Sequence, residues 1–347
     1  MVQLTSRRII TFVFATIVLA LAPKPGYADE NGDGYRLGGG YPVGDTGLRL
    51  GGYASAQFDV PRTGDWQFKT HDLSLFLSWD NGSRLRFFSE LEGGDVLTAS
   101  DSQTLSTRNA HFEFERLYFD ELINDKLTVR LGKFLTPIGQ WNLIHAAPLV
   151  WTSSRPVATE NLFSTHASGM MLHGVLPIAG RQLEYAVYGD ASDTLDPHLS
   201  RNPFKNAVGG RLRYSLDDTL QLGISFANYR LRDFGGERQS LVGLDAAWAY
   251  KKYELSAELV YRAKESKAVR SLWQGYMQGV APLGRQWFGV GRYEFFQQEQ
   301  DGTGQVGVLG LAYRPQRPLI WKLEYRLGSH NASLAPDGLS ASFAILF

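Results

Sequence analysis

The stretch Leu319-Ile320-Trp321-Lys322-Leu323-Glu324-Tyr325-Arg326-Leu327 decides the fold. Every odd position is apolar, and three of the four even positions carry charge. A helix would bring Lys322 and Arg326 together but scatter Trp321, Leu323 and Tyr325 around its cylinder. Only a strand, whose side chains alternate between two faces, separates the two sets. The same period of two runs through Leu73 to Trp79, Ala207 to Tyr214 and Tyr253 to Arg262.

Working outward from it, sixteen such segments can be counted, the first at 48–59 and the last at 339–347. A strand of about 9–11 residues crosses a bilayer at the tilt of a barrel, and the chain has room for sixteen with loops to spare. The connections alternate in length. Short turns fall at Asn81-Gly82, Asn124-Asp125, Ala179-Gly180, Asp217-Asp218, Lys251-Lys252, Leu283-Gly284 and Gln316-Arg317, with longer polar loops between them. Short periplasmic turns opposite long extracellular loops are the pattern of outer-membrane barrels. Sixteen strands that start from a periplasmic N-terminus also return the C-terminus to that side. The expected fold is therefore all-β, a transmembrane antiparallel β-barrel of about 16 strands over residues 48–347. Trp79, Tyr214, Tyr250, Tyr253, Trp287, Tyr313 and Trp321 sit beside the short turns, as a girdle at the level of the lipid headgroups would.

The ends of the chain agree with this. Arg7 and Arg8, the apolar run Ile9 to Ala22 and the small residues Gly26-Tyr27-Ala28 read as a cleavable signal peptide over 1–28. Residues 29–47, rich in Gly and Asp, read as a flexible periplasmic segment. The last strand alternates and ends on Phe347, which resembles the C-terminal signal recognised by the barrel-assembly machinery. Outer-membrane lipid and that machinery are the expected partners, and the bacterial cell outer membrane the expected location.

Composition excludes several classes. The chain has 35 Lys+Arg and 35 Asp+Glu; losing Arg7, Arg8 and Lys24 with residues 1–28 leaves a net charge of −3, so no basic face invites nucleic acid. There is no cysteine, hence no disulfide framework and no thiolate site. Aromatic residues make up 13%, yet the mean hydropathy is only −0.21. A strand that is apolar on one face and polar on the other gives that combination. His71, His111, His145, His166, His173, His198 and His330 fall at no metal-ligand spacing, and there is no Gly-x-Ser-x-Gly motif. No cofactor, metal or catalytic residue is assigned.

Alternation sends Arg49, Arg86, Arg130, Arg211, Arg213, Arg262, Arg292, Lys322 and Arg326 to the lumen. Glu90, Glu92, Glu113, Glu115, Asp245, Glu254, Glu258, Glu294 and Glu324 go with them. Charges buried without water or partners cost several kcal/mol each, so the interior is either a hydrated pore or a plug laced with ion pairs. The apolar register shifts at Glu115-Arg116, where a β-bulge is expected. The loop over 137–167 is about twice the length of most others, and its middle, Trp141 to Trp151, is too apolar to wave in water. It is expected to fold into the barrel as a constriction, with His145, Arg155, Glu160 and His166 narrowing it. An external lid or a subunit contact is the other reading. Of the lumen residues, Arg130, Arg211, Arg213, Arg262, Arg292, Lys322, Arg326, Glu113, Glu258 and Glu324 are the pore-lining candidates.

Leu127-Thr128-Val129-Arg130-Leu131-Gly132-Lys133-Phe134-Leu135-Thr136-Pro137-Ile138-Gly139-Gln140-Trp141-Asn142, preceded by Arg116-Leu117-Tyr118-Phe119-Asp120, resembles the phosphate-selective porin O/P family. The resemblance implies a sixteen-stranded, often trimeric channel for small hydrophilic solutes, anions among them. That family's selectivity rests on ladders of arginine and lysine, whereas the lumen here holds nine basic and nine acidic residues by alternation. A barrel acting through its loops as an adhesin, receptor or assembly partner is the alternative, and a loop-borne hydrolase the third reading. For a homotrimer, the outward small residues Gly52, Ala54 and Ala56, expected beside Ala341, offer a contact; a thin part of the lipid face is the equal alternative.

Overall fold

The computed structural model describes residues 34–144, 146–195, 203–232, 236–266, 271–299 and 302–347. The signal segment 1–28, the start of the lead-in and His145 lie outside the described residues. Sixteen long strands form the wall: β1 (Leu48–Pro61), β2 (Asp72–Asp80), β3 (Leu85–Gly94), β4 (His111–Asn124), β5 (Leu127–Leu135), β6 (His166–Ile178), β7 (Arg181–Asp190) and β8 (Phe204–Ser215) come first. They are followed by β9 (Leu220–Leu231), β10 (Arg238–Tyr250), β11 (Tyr253–Lys264), β12 (Leu272–Pro282), β13 (Trp287–Gln298), β14 (Gly302–Gln316), β15 (Leu319–Ser329) and β16 (Gly338–Leu346). Each pairs antiparallel with the next, and β16 pairs with β1 to close the barrel. Among the described residues no helix is long and apolar enough to cross a membrane.

The two faces of the wall invert the order of a soluble protein. On β15 Leu323, Tyr325 and Leu327 are exposed while Lys322 and Glu324 are buried. On β9 Leu222, Ile224 and Phe226 face out and Ser225 is buried. An apolar exterior and a polar interior are what a bilayer outside and water inside select. The turn between β6 and β7 is a two-residue hairpin in which Ala179 (φ 52°) and Gly180 (φ 74°) both take positive φ, the conformation that matches the twist of the flanking strands. The wall pairs Glu90 with Arg116 and Leu91 with Phe114, leaving Glu115 as an extra residue, so the bulge stands where the apolar register shifts.

Some details depart from the sequence reading. The lead-in, expected as flexible, carries a short strand, Tyr41–Pro42, paired with Leu50 and Arg49. The cause is the Arg49 guanidinium, which donates to the carbonyls of Gly34 (2.8 Å), Gly40 (2.7 Å) and Gly39 (3.2 Å). Two stretches expected as loop, Gln67–Lys69 and Thr98–Ser100, pair with each other and extend the sheet beyond the membrane band. The small-residue patch is placed differently too. Register puts Phe58, not Ala54 or Ala56, opposite Ala341, while Ala56 and Ala54 face Phe343 and Ile345. The ring of Phe347 lies over Gly52. The terminal strand thus fills the space the alanines leave.

Candidate functional site

After β5 the chain turns inward instead of leaving the barrel. Main-chain N–H groups of the loop are taken up by side chains of the opposite wall. Gly139 N donates to Ser225 Oγ on β9 (3.2 Å). Gln140 N (3.0 Å) and Trp141 N (2.7 Å) donate to Glu258 Oε1 on β11. Ser153 N and Ser154 N donate to the two oxygens of Glu324 on β15 (2.8 and 3.0 Å), and Val157 N to Glu294 Oε2 on β13 (2.8 Å). The cations of the same wall take the carbonyls: Lys322 Nζ donates to Ala147 O (2.9 Å) and Thr152 O (3.1 Å). Apolar contacts complete the attachment. Ile138, Leu162 and Phe163 pack with Tyr188, Phe204 and Tyr229, and Ala146 and Ala147 reach Tyr53 and Phe76. Such charge-assisted bonds in a poorly solvated place are worth about 1.5–3 kcal/mol each.

Gly139 is required at the root of this attachment. Its φ is +63°, and a Cβ there would run into the Glu258 carboxylate. Only glycine allows both the turn and the close approach.

A cavity of about 430 Å³ remains between the loop and the wall of β1 to β4. Of the sequence candidates it gathers Glu113, Arg155, Glu160, His166, Arg292, Lys322 and Arg326. Arg155 is anchored by Asn142 Oδ1 (2.6 Å) and by Thr159. His166 Nε2 stands 2.8 Å from Glu115, and Arg326 4.0 Å from Glu324. Arg292 bonds Glu294 (2.7 Å), Thr152 Oγ1 (2.6 Å) and Ser154.

The other candidates lie elsewhere, with polar partners of their own. Arg130 makes a two-point bond to Asp120 (2.7 Å each) and lies over the Tyr118 ring. Arg211 pairs with Asp245 (2.6 Å), and Arg213 bonds Gln221 and Glu184. Arg262 reaches Gln239 (3.1 Å) and Glu299 (2.9 Å). Glu258 and Glu324 stand behind the loop. Glu299, in the extracellular turn after β13, has its carboxyl held below the usual range. Burial opposes this, but bonds from Lys264 and Arg262 outweigh it.

Sequence reasoning missed part of the cavity wall. Lys69, His71, Asp72, Asp95 and His111 line it, although of the charged groups on that wall only Glu92, Glu113 and Glu115 had been placed in the lumen. Asp72 shares the inward parity of Ser74 and Phe76, so alternation could have found it. His111 likewise shares the parity of Glu113 on β4, whereas Lys69 and Asp95 stand in a short extra strand and just past a strand end, where period-two reading stops.

No protein-family profile matches the chain, and no curated protein matches it. Solved structures do. The chain is similar to the anion-selective porin from Comamonas acidovorans at 14% identity, over 86% of this chain and 99% of that one, with a TM-score of 0.60. It is similar to OmpF of Salmonella typhi, solved in complex with daunomycin, at 12% identity over 88% and 99%, TM-score 0.64. The outer-membrane channel DcaP of Acinetobacter baumannii matches at 10% identity over 89% and 100%, TM-score 0.60. At such identities the likeness is one of architecture: this chain has the barrel fold of outer-membrane porins.

Proposed function

We propose that the chain is an outer-membrane porin through which small hydrophilic solutes diffuse down their gradients. The observation that carries this is the polar cavity left between the loop 136–165 and the wall of β1 to β4, inside a closed barrel with an apolar exterior. Nothing in the process needs a covalent step or an energy source. Charged side chains on the loop and on the facing wall sort solutes by size and charge. Export through a signal peptide at 1–28, insertion through the strand that ends on Phe347, and assembly as a homotrimer belong to the same reading.

Planar-bilayer recording of the purified chain tests it. Stable conductance steps support the porin. A folded but silent barrel rejects it and moves the function to the external loops, as an adhesin, a receptor or the seat of a hydrolase.

A further inference from the structure

The even mix of charge counted along the strands does not persist at the cavity. Arg292 and Lys322 are 3% and 5% exposed and are engaged by Glu294 and by loop carbonyls. Arg211 and Arg262 are paired in other parts of the wall.

On the facing wall the acids are placed differently. Register sets Glu92 of β3 directly opposite Glu113 of β4. Like charges at directly paired positions repel, unless water and counter-ions separate them. The carboxylate of Glu92 accepts from two neutral hydroxyls, Tyr53 (3.1 Å) and Ser74 (3.0 Å). Lys133 stands 4.0 Å from Glu113.

Around the whole cavity the wall supplies Asp72, Glu92, Asp95, Glu113 and Glu115, the loop Glu160, and β13 Glu294. Lys69, Arg155, Arg292, Lys322 and Arg326 oppose these seven carboxyl groups, so the acids outnumber the bases by two. His71, His111 and His166 face the same space.

We propose that the lumen prefers cations to anions at neutral pH, and that Glu113, set against Glu92 across the β3–β4 pair, is the specificity-determining residue. This rests on the porin reading above. A narrow aqueous path between low-dielectric walls focuses the field of its lining charges, and counter-ions of opposite sign accumulate there. The solute class that fits is the small cation, inorganic or an organic ammonium.

The experiment is the reversal potential of the mature chain in a planar bilayer under a KCl gradient. At about pH 7.5 its sign should be that of potassium permeation. Glu92→Gln with Glu113→Gln should bring the potassium-to-chloride permeability ratio towards unity. The Glu113 charge should move that ratio by roughly sevenfold, since a unit charge about 7 Å away in water raises potassium and lowers chloride by about threefold each. If the double variant does not fold, Glu113→Gln alone should give most of that loss, and Glu113→Asp should keep the preference. A conducting wild type that is unselective or prefers chloride overturns the assignment while leaving the porin standing. So does a folded double variant with an unchanged ratio. A silent wild type fails the porin reading itself, and the selectivity with it.

Discussion

The main-chain N–H of Trp141 donates to the carboxylate of Glu258 across the barrel, at 2.7 Å. The two residues are 117 positions apart in the chain. The same oxygen accepts from Gln140 N and from the Tyr276 hydroxyl at 2.9 Å, so one side chain fixes where the loop leaves the wall. Glu258→Ala removes that acceptor and leaves two loop N–H groups without it. The loop should lose about 2–4 kcal/mol of attachment while the barrel stays closed. Open-channel current noise and protease cleavage within 140–165 should both rise; a quiet, resistant variant would show that the apolar contacts alone hold the loop.

Gly139→Ala should mimic that loss from the other side of the contact. A Cβ at Gly139 meets the Glu258 carboxylate and must also take φ +63°. Because both changes break one contact, the double variant Gly139→Ala with Glu258→Ala should cost clearly less than the sum of the two. Thermal unfolding of the three variants measures the coupling, and strict additivity would refute it.

Deleting residues 142–160 should raise single-channel conductance, since this segment occupies the space beside β11 to β16. Equal conductance with a folded barrel would mean that the narrowest point lies elsewhere.

Acid should weaken the extracellular end of β13. Glu299 is bonded by Lys264 (2.6 Å) and Arg262 (2.9 Å), and its carboxyl is held below the usual range. A carboxyl depressed in the folded state stabilises above its unfolded value, about 4.3, and that contribution disappears as pH falls through the lower folded value. The gap in Tm between wild type and Glu299→Gln should be present at neutral pH and shrink steadily as pH falls below about 4.3. A gap that persists in strong acid would contradict this.

The seam of the barrel is a further weak point. Phe347 N donates to Gly52 O and Gly52 N to Phe347 O, both at 2.8 Å, so the last residue is the final rung between first and last strands. Gly52→Val would press on the main chain of Ser74 and on the Phe347 ring. Slower folding into detergent, followed by the heat-dependent gel shift of the barrel, is the expected result.

How much of this the sequence disclosed depends on the range of the interaction. Alternation at Leu319 to Leu327 needs only neighbours to be read, and it placed each wall strand to within a few residues. The misfit at Glu115-Arg116 was visible as a change of parity, which is what an extra residue in one strand produces. Parity, however, says only that Glu258, Glu324 and Arg292 point inward. It cannot tell that their partners are backbone groups of a loop more than a hundred residues away, nor which charges cancel. For that reason nine basic and nine acidic residues looked balanced along the strands, although Arg292 and Lys322 lie against the loop and Glu92 and Glu113 share the other side. Arg116, held between Glu90 (2.5 Å) and the Phe88 ring, escaped because it sits next to the bulge.

The wall reads the loop largely through its peptide groups. Ser225, Glu258, Glu294 and Glu324 bind N–H groups that every residue but proline possesses. Exposed side chains in this segment can therefore be exchanged without redirecting its course, provided Gly139 and the donating positions are kept. The barrel is to that extent a mould for interchangeable apertures. Replacing the half-buried, cavity-lining Val150 offers a way to tailor a nanopore sensor on an unchanged frame.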